Sequence, residues 1–237
     1  MSIIRPELIN DEIYHIVVRG VGDSLIFKDK NDYYRAIFSL YEFNTSQPVN
    51  IKEKRKMRRE QLVEAVRFTK SDTSRKKIVE NLAFCFMPNH IHLLTKQIKE
   101  NGISAYMKKF GVGYANHFNK KYERRGHLFQ GRFRAIHIKD EEQLKNVFVY
   151  IHTNPISLAE PNWKGKGISN PQTVINFLEN YRWSSYPDYI GNQNFPSLTE
   201  RKFILKILGD QKGCRDFVEG WTKHHADICD LNDIALE

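Results

Sequence analysis

The stretch Phe84-Cys85-Phe86-Met87-Pro88-Asn89-His90-Ile91-His92-Leu93-Leu94, FCFMPNHIHLL, decides the fold. Leu82 to Phe86 is short, apolar and aromatic, as strands are. Pro88-Asn89 is a turn signal, and an alternating pattern resumes at His90. The stretch predicts a β-hairpin whose second strand starts at the two histidines. Side chains alternate across a strand, so residues two apart share a face. His90 and His92 then point one way, and Ile91 and Leu93 the other. Two neutral imidazoles on one face form a two-point candidate metal site. Two polar residues on an open sheet face would show the same pattern.

Working outward, Ile13 to Arg19 (IYHIVVR) reads as a first strand ended by glycines. Asn31 or Asp32 is a candidate cap for a helix through YYRAIFSLYEF, whose apolar residues recur at helical spacing. Residues 52–77 hold 11 basic and 4 acidic residues and read as a solvated helix followed by a loop. Downstream of the hairpin, Ser104 opens a helix through AYMKKFGVGYANHFNKKY, with Gly111 and Gly113 weakening its middle. Phe133 to Ile138 alternates like a strand. Asp140 caps a helix through EEQLKNVFVYIHTN, which Pro155 stops.

The order strand, helix, strand, strand, helix, strand, helix is that of the split βαβ unit. The expected fold is α+β: a ferredoxin-like (RRM-like) antiparallel sheet with helices on one face, plus a C-terminal helical appendage. Its first and third strands are central neighbours, which puts the histidine strand mid-sheet, beside His15. The expected organisation is a domain over 1–158, with a basic insertion at about 50–78, and an appendage over 159–237.

The 237 residues suffice for a proper core, with 41% hydrophobic and 12% aromatic residues. Lys and Arg outnumber Asp and Glu by 37 to 28, so a polyanion is a natural partner. No apolar run reaches the roughly 20 residues of a membrane span, and no signal-peptide pattern opens the chain. Cys85, Cys214 and Cys229 are odd in number and far apart, which fits a reducing cytoplasm rather than a disulfide framework or zinc ribbon.

The helix before Pro155 offers a third ligand. Tyr150 and Asn154 stand i, i+4 and share a helical face, whereas His152 points elsewhere. Asn154 carries an amide oxygen for a hard cation, and three protein ligands leave positions open for catalysis. A tyrosine beside such a metal is a candidate nucleophile. A half-buried packing tyrosine is the plainer reading of Tyr150. Tyr114 is a rival nucleophile, but its Asn119 lies at i+5 and on a diverging face.

MPNHIHLL, GHLFQGRF and YIHTNP in this order, with YHIVVRG near the start and NYRWSSYPDYIG near the end, resemble the REP-associated tyrosine transposases. These lie within the single-tyrosine HUH (IS200-like) transposase superfamily. The resemblance runs from about Tyr14 to Tyr189. It implies a metal-dependent nuclease and strand transferase for single-stranded DNA, often with a hairpin beside the cleavage point. By resemblance Tyr150 is the nucleophile, giving a 5′-phosphotyrosine. His90, His92 and Asn154 hold Mg²⁺ or Mn²⁺, although imidazole would also suit Zn²⁺ or Ni²⁺. A monomer or homodimer in the cytoplasm, associated with the nucleoid, is the implied state. Two departures stand out: Val18 replaces the family's usual Asn before Arg-Gly, and the basic stretch is longer than usual.

Between Lys108 and Lys139 lie nine basic residues and one acid, interleaved with aromatics. That pattern suits single strands, whose phosphates meet cations and whose bases stack on rings. Lys120, Lys121, Arg124, Arg125, His127, Phe129, Gln130, Arg132 and Arg134 are therefore the candidate DNA contacts. Rival readings are a replication-initiator or relaxase-type nickase, a non-catalytic domesticated DNA- or RNA-binding protein on an RRM-like sheet, and a small-phosphoester hydrolase.

Overall fold

The computed structural model describes residues 6–62 and 76–227. Cys229 and most of the basic stretch after Leu62 lie outside them. Four strands, β1 (Ile13–Arg19), β2 (Val79–Met87), β3 (His90–Gln97) and β4 (Arg134–Ile138), form one sheet in the order β2-β3-β1-β4. All pairings are antiparallel, so β1 and β3 are central, as the hairpin and the element order predict. The register sets Val17 opposite His92 and His15 opposite Leu94. His15 is thus a diagonal, same-face neighbour of His92.

One face of the sheet is mainly apolar, with Asn81 and Thr95 hydrogen-bonded to each other. Ile16, Val18, Phe84, Phe86, Ile91 and Leu93 pack under α1 (Lys30–Phe43) and α3 (Gly102–Lys121), while α2 (Ile51–Leu62) follows α1 in the chain. The cap of α1 is Asp29 rather than Asn31 or Asp32. Its side chain accepts from the Asp32 amide, and Asp32 answers as the third residue of a capping box. The two helices approach closely at Gly113, where a Cβ would come within 2.6 Å of the Phe43 ring. That contact accounts for a glycine that weakens a helix.

The expectation of helices on one face holds for α1 and α3 only. On the other face α4 (Glu141–Thr153) crosses β2 and β3, its start capped by Asp140. Leu82, Cys85 and Leu94 share a core there with Val147, Phe148 and Ile151. After Pro155 come α5 (Ile156–Ala159), α6 (Trp163–Lys166), α7 (Pro171–Asn180), α8 (Tyr186–Tyr189), α9 (Lys202–Leu208) and α10 (Gln211–Asp227). Trp163, Val174, Leu178, Tyr189 and Val218 belong to that same core. The expected boundary at residue 159 therefore cuts through shared packing. The helix α4 has an apolar back as well as a sheet-facing side, and the C-terminal helices cover it.

The WSSY segment closes the outer edge of β2. The Phe86 amide donates to the Trp183 carbonyl at 2.8 Å, and the Ser185 amide to the Phe84 carbonyl at 3.0 Å. Tyr181 and Tyr189 donate their hydroxyls to the Phe86 and Leu82 carbonyls at 2.7 and 2.5 Å. An open edge would offer those groups to another chain.

Candidate active site

β3 brings His90 and His92 to one face, and α4 lays Tyr150 and Asn154 over them. The Tyr150 ring stands edge-on to His92, centroids 5.5 Å apart, and to His15 at 5.9 Å. His90 Nε2 lies 3.2 Å from Asn154 Oδ1, and His90 Nδ1 lies 2.7 Å from Asn89 Oδ1. His92 Nδ1 lies 2.9 Å from His15 Nε2. His92 Nε2 is buried with no hydrogen-bond partner.

Proton bookkeeping shows what this arrangement can hold. When Asn89 Oδ1 takes the Nδ1 proton of His90, the Nε2 lone pair faces the Asn154 oxygen. When His15 Nε2 accepts from His92 Nδ1, the His92 Nε2 lone pair is likewise bare. In that tautomer of His90 two acceptors, His90 Nε2 and Asn154 Oδ1, face each other at 3.2 Å, an arrangement that costs free energy unless a cation or a proton lies between them. Adjacent ligands on an octahedral Mg²⁺ are about 3.0 Å apart, from metal–oxygen distances of about 2.1 Å. The His90–Asn154 separation of 3.2 Å suits that spacing. Burial also favours the neutral rings of His15 and His92, the form a ligand must take. It pushes His15 down to about 3 and His92 well below its ordinary value, with the nearby His15 and His90 adding to the effect. Among the described residues no three His, Cys, Asp or Glu side chains gather as a closed metal cage.

His15 and Asn89 are the residues that the sequence reading did not assign to the site. The alternation of YHIVV gave the signal for His15, but only the β1–β3 register says which β3 residues it meets. His152 points away, within 2.8 Å of Ser185 Oγ. Tyr114 is fully buried, donates its hydroxyl to the Ile26 carbonyl at 2.6 Å, and is pushed far up by burial. The rival nucleophile is thus a core residue on the opposite face.

Of the nine candidate DNA contacts, Lys120, Lys121, Arg125, His127, Gln130, Arg132 and Arg134 are exposed. Arg124 is half-buried and donates to the His127 carbonyl and Asn119 Oδ1. Lys121 is held at 2.7 Å by both Asp29 and Asp32, and Phe129 packs against the α1–α3 core. Val18, the departure in the first strand, is a buried core residue opposite Ile91. No helix among the described residues is long and apolar enough to cross a membrane.

A family model described as Transposase IS200 like matches residues 48–154, the stretch that carries both histidines, Tyr150 and Asn154. No curated protein matches the chain. Among solved structures, one of a REP-associated tyrosine transposase bound to a REP hairpin is similar at 14% identity and a TM-score of 0.48, over 85% of this chain and 96% of that one.

Proposed function

We propose that this protein is a transposase acting as a metal-dependent endonuclease and strand transferase on single-stranded, hairpin-bearing DNA, through a phosphotyrosine intermediate. The observation that carries the reading is that α4 sets Tyr150 against the His92 ring and Asn154 against His90, with the His92 Nε2 buried and without a partner. The match of residues 48–154 to IS200-like transposases supports it.

In this reading His90, His92 and Asn154 would hold Mg²⁺ or Mn²⁺. Such a cation offsets the charge that develops on a phosphate oxygen during transfer. Asn89 and His15 fix the ring tautomers that leave His90 Nε2 and His92 Nε2 bare. The Tyr150 oxygen attacks phosphorus, the bond to the deoxyribose 3′-oxygen breaks, and a 3′-hydroxyl is released. The phosphotyrosine keeps the phosphodiester's bond energy. A second 3′-hydroxyl can therefore attack it, restore the tyrosine and join two strands without a nucleotide cofactor. α4 has its own packing on Val147, Phe148 and Ile151, so the nucleophile is held before DNA arrives.

The test is incubation of the protein with labelled single-stranded hairpin DNA and Mn²⁺, followed by denaturing electrophoresis. The expected product is a covalent adduct whose mapped peptide contains Tyr150. Calorimetric titration with Mn²⁺ should show binding that is lost in a His90→Ala/His92→Ala double variant. An adduct mapped elsewhere, or Mn²⁺ affinity indifferent to both histidines, would overturn the reading.

A further inference from the structure

The side of the sheet away from Tyr150 holds a feature that the cleavage chemistry does not use. A cavity of about 460 Å³ opens between α1, α3 and the 194–198 segment, within the range of small-ligand pockets. Tyr34, Phe38, Tyr41 and Phe195 give it an aromatic wall, and Arg35, Arg55 and Arg182 give it positive charge. No acidic residue is among its described lining. Arg182 lies over the Tyr34 and Phe195 rings at 5.3 and 5.5 Å, while Arg35 Nε is buried without a hydrogen-bond partner.

The cations work against one another. Burial lowers Arg35 to about 10, and Arg55 adds to the effect. His117, on the same wall, is lowered by burial and then by Arg35 and Arg55. Like charges held together around an apolar pocket destabilise the fold unless an anion joins them. A second basic cavity, lined by Lys52, Lys56 and Lys120, shares Arg35, Arg55 and His117 with the first. The positive surface is therefore longer than one phosphate.

We propose that this trough binds single-stranded DNA away from the cleavage point, with one unstacked base against the Tyr34–Phe195 wall and the flanking phosphates on Arg35 and Arg55. Aromatic rings beside cations are how single strands are held, and the adjoining cavity favours a strand over a free nucleotide. The N-terminal half of the basic stretch, as α2, then has a function: it carries one bank of the trough. The inference rests on the proposed DNA substrate.

Fluorescence anisotropy of the full chain with labelled oligothymidylate, across a salt series, tests it. An Arg35→Gln/Arg55→Gln double variant should bind about tenfold more weakly, and its log–log salt slope should shrink by about 1.4, from about 0.7 per phosphate. Tyr34→Ala, at a 40% exposed position, should lose about fivefold, the low end for one stacking ring. The exposed Lys99→Gln is the charge control and should match the parent. Thermal unfolding midpoints separate lost contacts from lost fold. Should Arg35→Gln fail to fold, Arg55→Gln and Tyr34→Ala carry the test from exposed positions. Unchanged affinity and slope in these variants, with the parent still forming its Tyr150 adduct, overturns this inference alone. A parent that binds no DNA overturns it together with the proposed function. Displacement of the oligomer by equal concentrations of thymidine monophosphate would overturn the strand assignment in favour of a free nucleotide.

Discussion

The two faces of β3 differ in what they bury. Ile91 and Leu93 sink into a core of aromatics and aliphatics beneath α1 and α3. His90 and His92, one residue away on either side, meet His15, Tyr150 and Asn154 beneath α4. Both faces are buried, so exposure does not distinguish them. What distinguishes them is satisfaction: polar groups on the first face, such as Asn81, Thr95, Tyr106 and Tyr114, are hydrogen-bonded, while the second leaves His92 Nε2 and His15 Nδ1 without partners. A buried polar atom without a partner costs about 1–3 kcal/mol. The two atoms belong to rings that meet through their other nitrogens, at 2.9 Å.

The sharpest way to break that contrast uses one tyrosine from each face. Tyr150→Phe should form no covalent DNA adduct, yet fold and bind Mn²⁺ as the parent does. Tyr114→Phe should keep adduct formation and instead lose about 1–3 kcal/mol of stability, because the Ile26 carbonyl loses its donor. Electrophoresis of denatured reactions and urea unfolding read the two effects. An adduct from Tyr150→Phe would erase the functional difference between the faces.

Adjacent residues of β3 give the next test. Leu93→Ala should cost about 2–5 kcal/mol, as deletions of buried leucine do. His92→Ala should cost less, since along with the nitrogen paired to His15 it discards a buried nitrogen that has no partner. Equal losses in urea unfolding would mean that both faces serve packing alike.

A smaller effect is expected at His15. His15→Phe keeps an aromatic ring but removes the acceptor facing His92 Nδ1, and should weaken Mn²⁺ binding about 10–100-fold, the usual cost of losing such a supporting group. His15→Gln, which returns an acceptor near the same position, should recover much of it. Calorimetry decides, and equal affinity in all three proteins would reduce His15 to a packing residue.

The smallest effect belongs to the apolar side. Asp29→Ala should cost about 1 kcal/mol through loss of the α1 cap. The Lys121 hydrogen bond holds the Asp29 carboxyl below its ordinary value. Its contribution is therefore present above the unfolded carboxylate value of about 3.9 and fades as pH falls through the lowered one. Thermal unfolding between neutral and acid pH should show the parent and Asp29→Ala converging at the acid end.

The sequence by itself determined the strands, their order and the pairing of His90 with His92, because these follow from local alternation, turn residues and caps. It also placed Tyr150 and Asn154 on one helical face, since i, i+4 spacing is local geometry. Tertiary structure decided which face of the sheet α4 would cover, and hence that helix and hairpin meet. Either side of the sheet would have satisfied the same periodicity. It also decided that the residues after 159 complete a core, because α4 has two apolar sides and only packing shows what covers the second. His15 and Asn89 entered the site through strand register and a turn. Phe129 and Lys121 were drawn into the core and an ion cluster by partners far away in sequence. Such placements depend on long-range contacts that no local pattern encodes, and side-chain spacing alone cannot say which neighbour a strand or helix will meet.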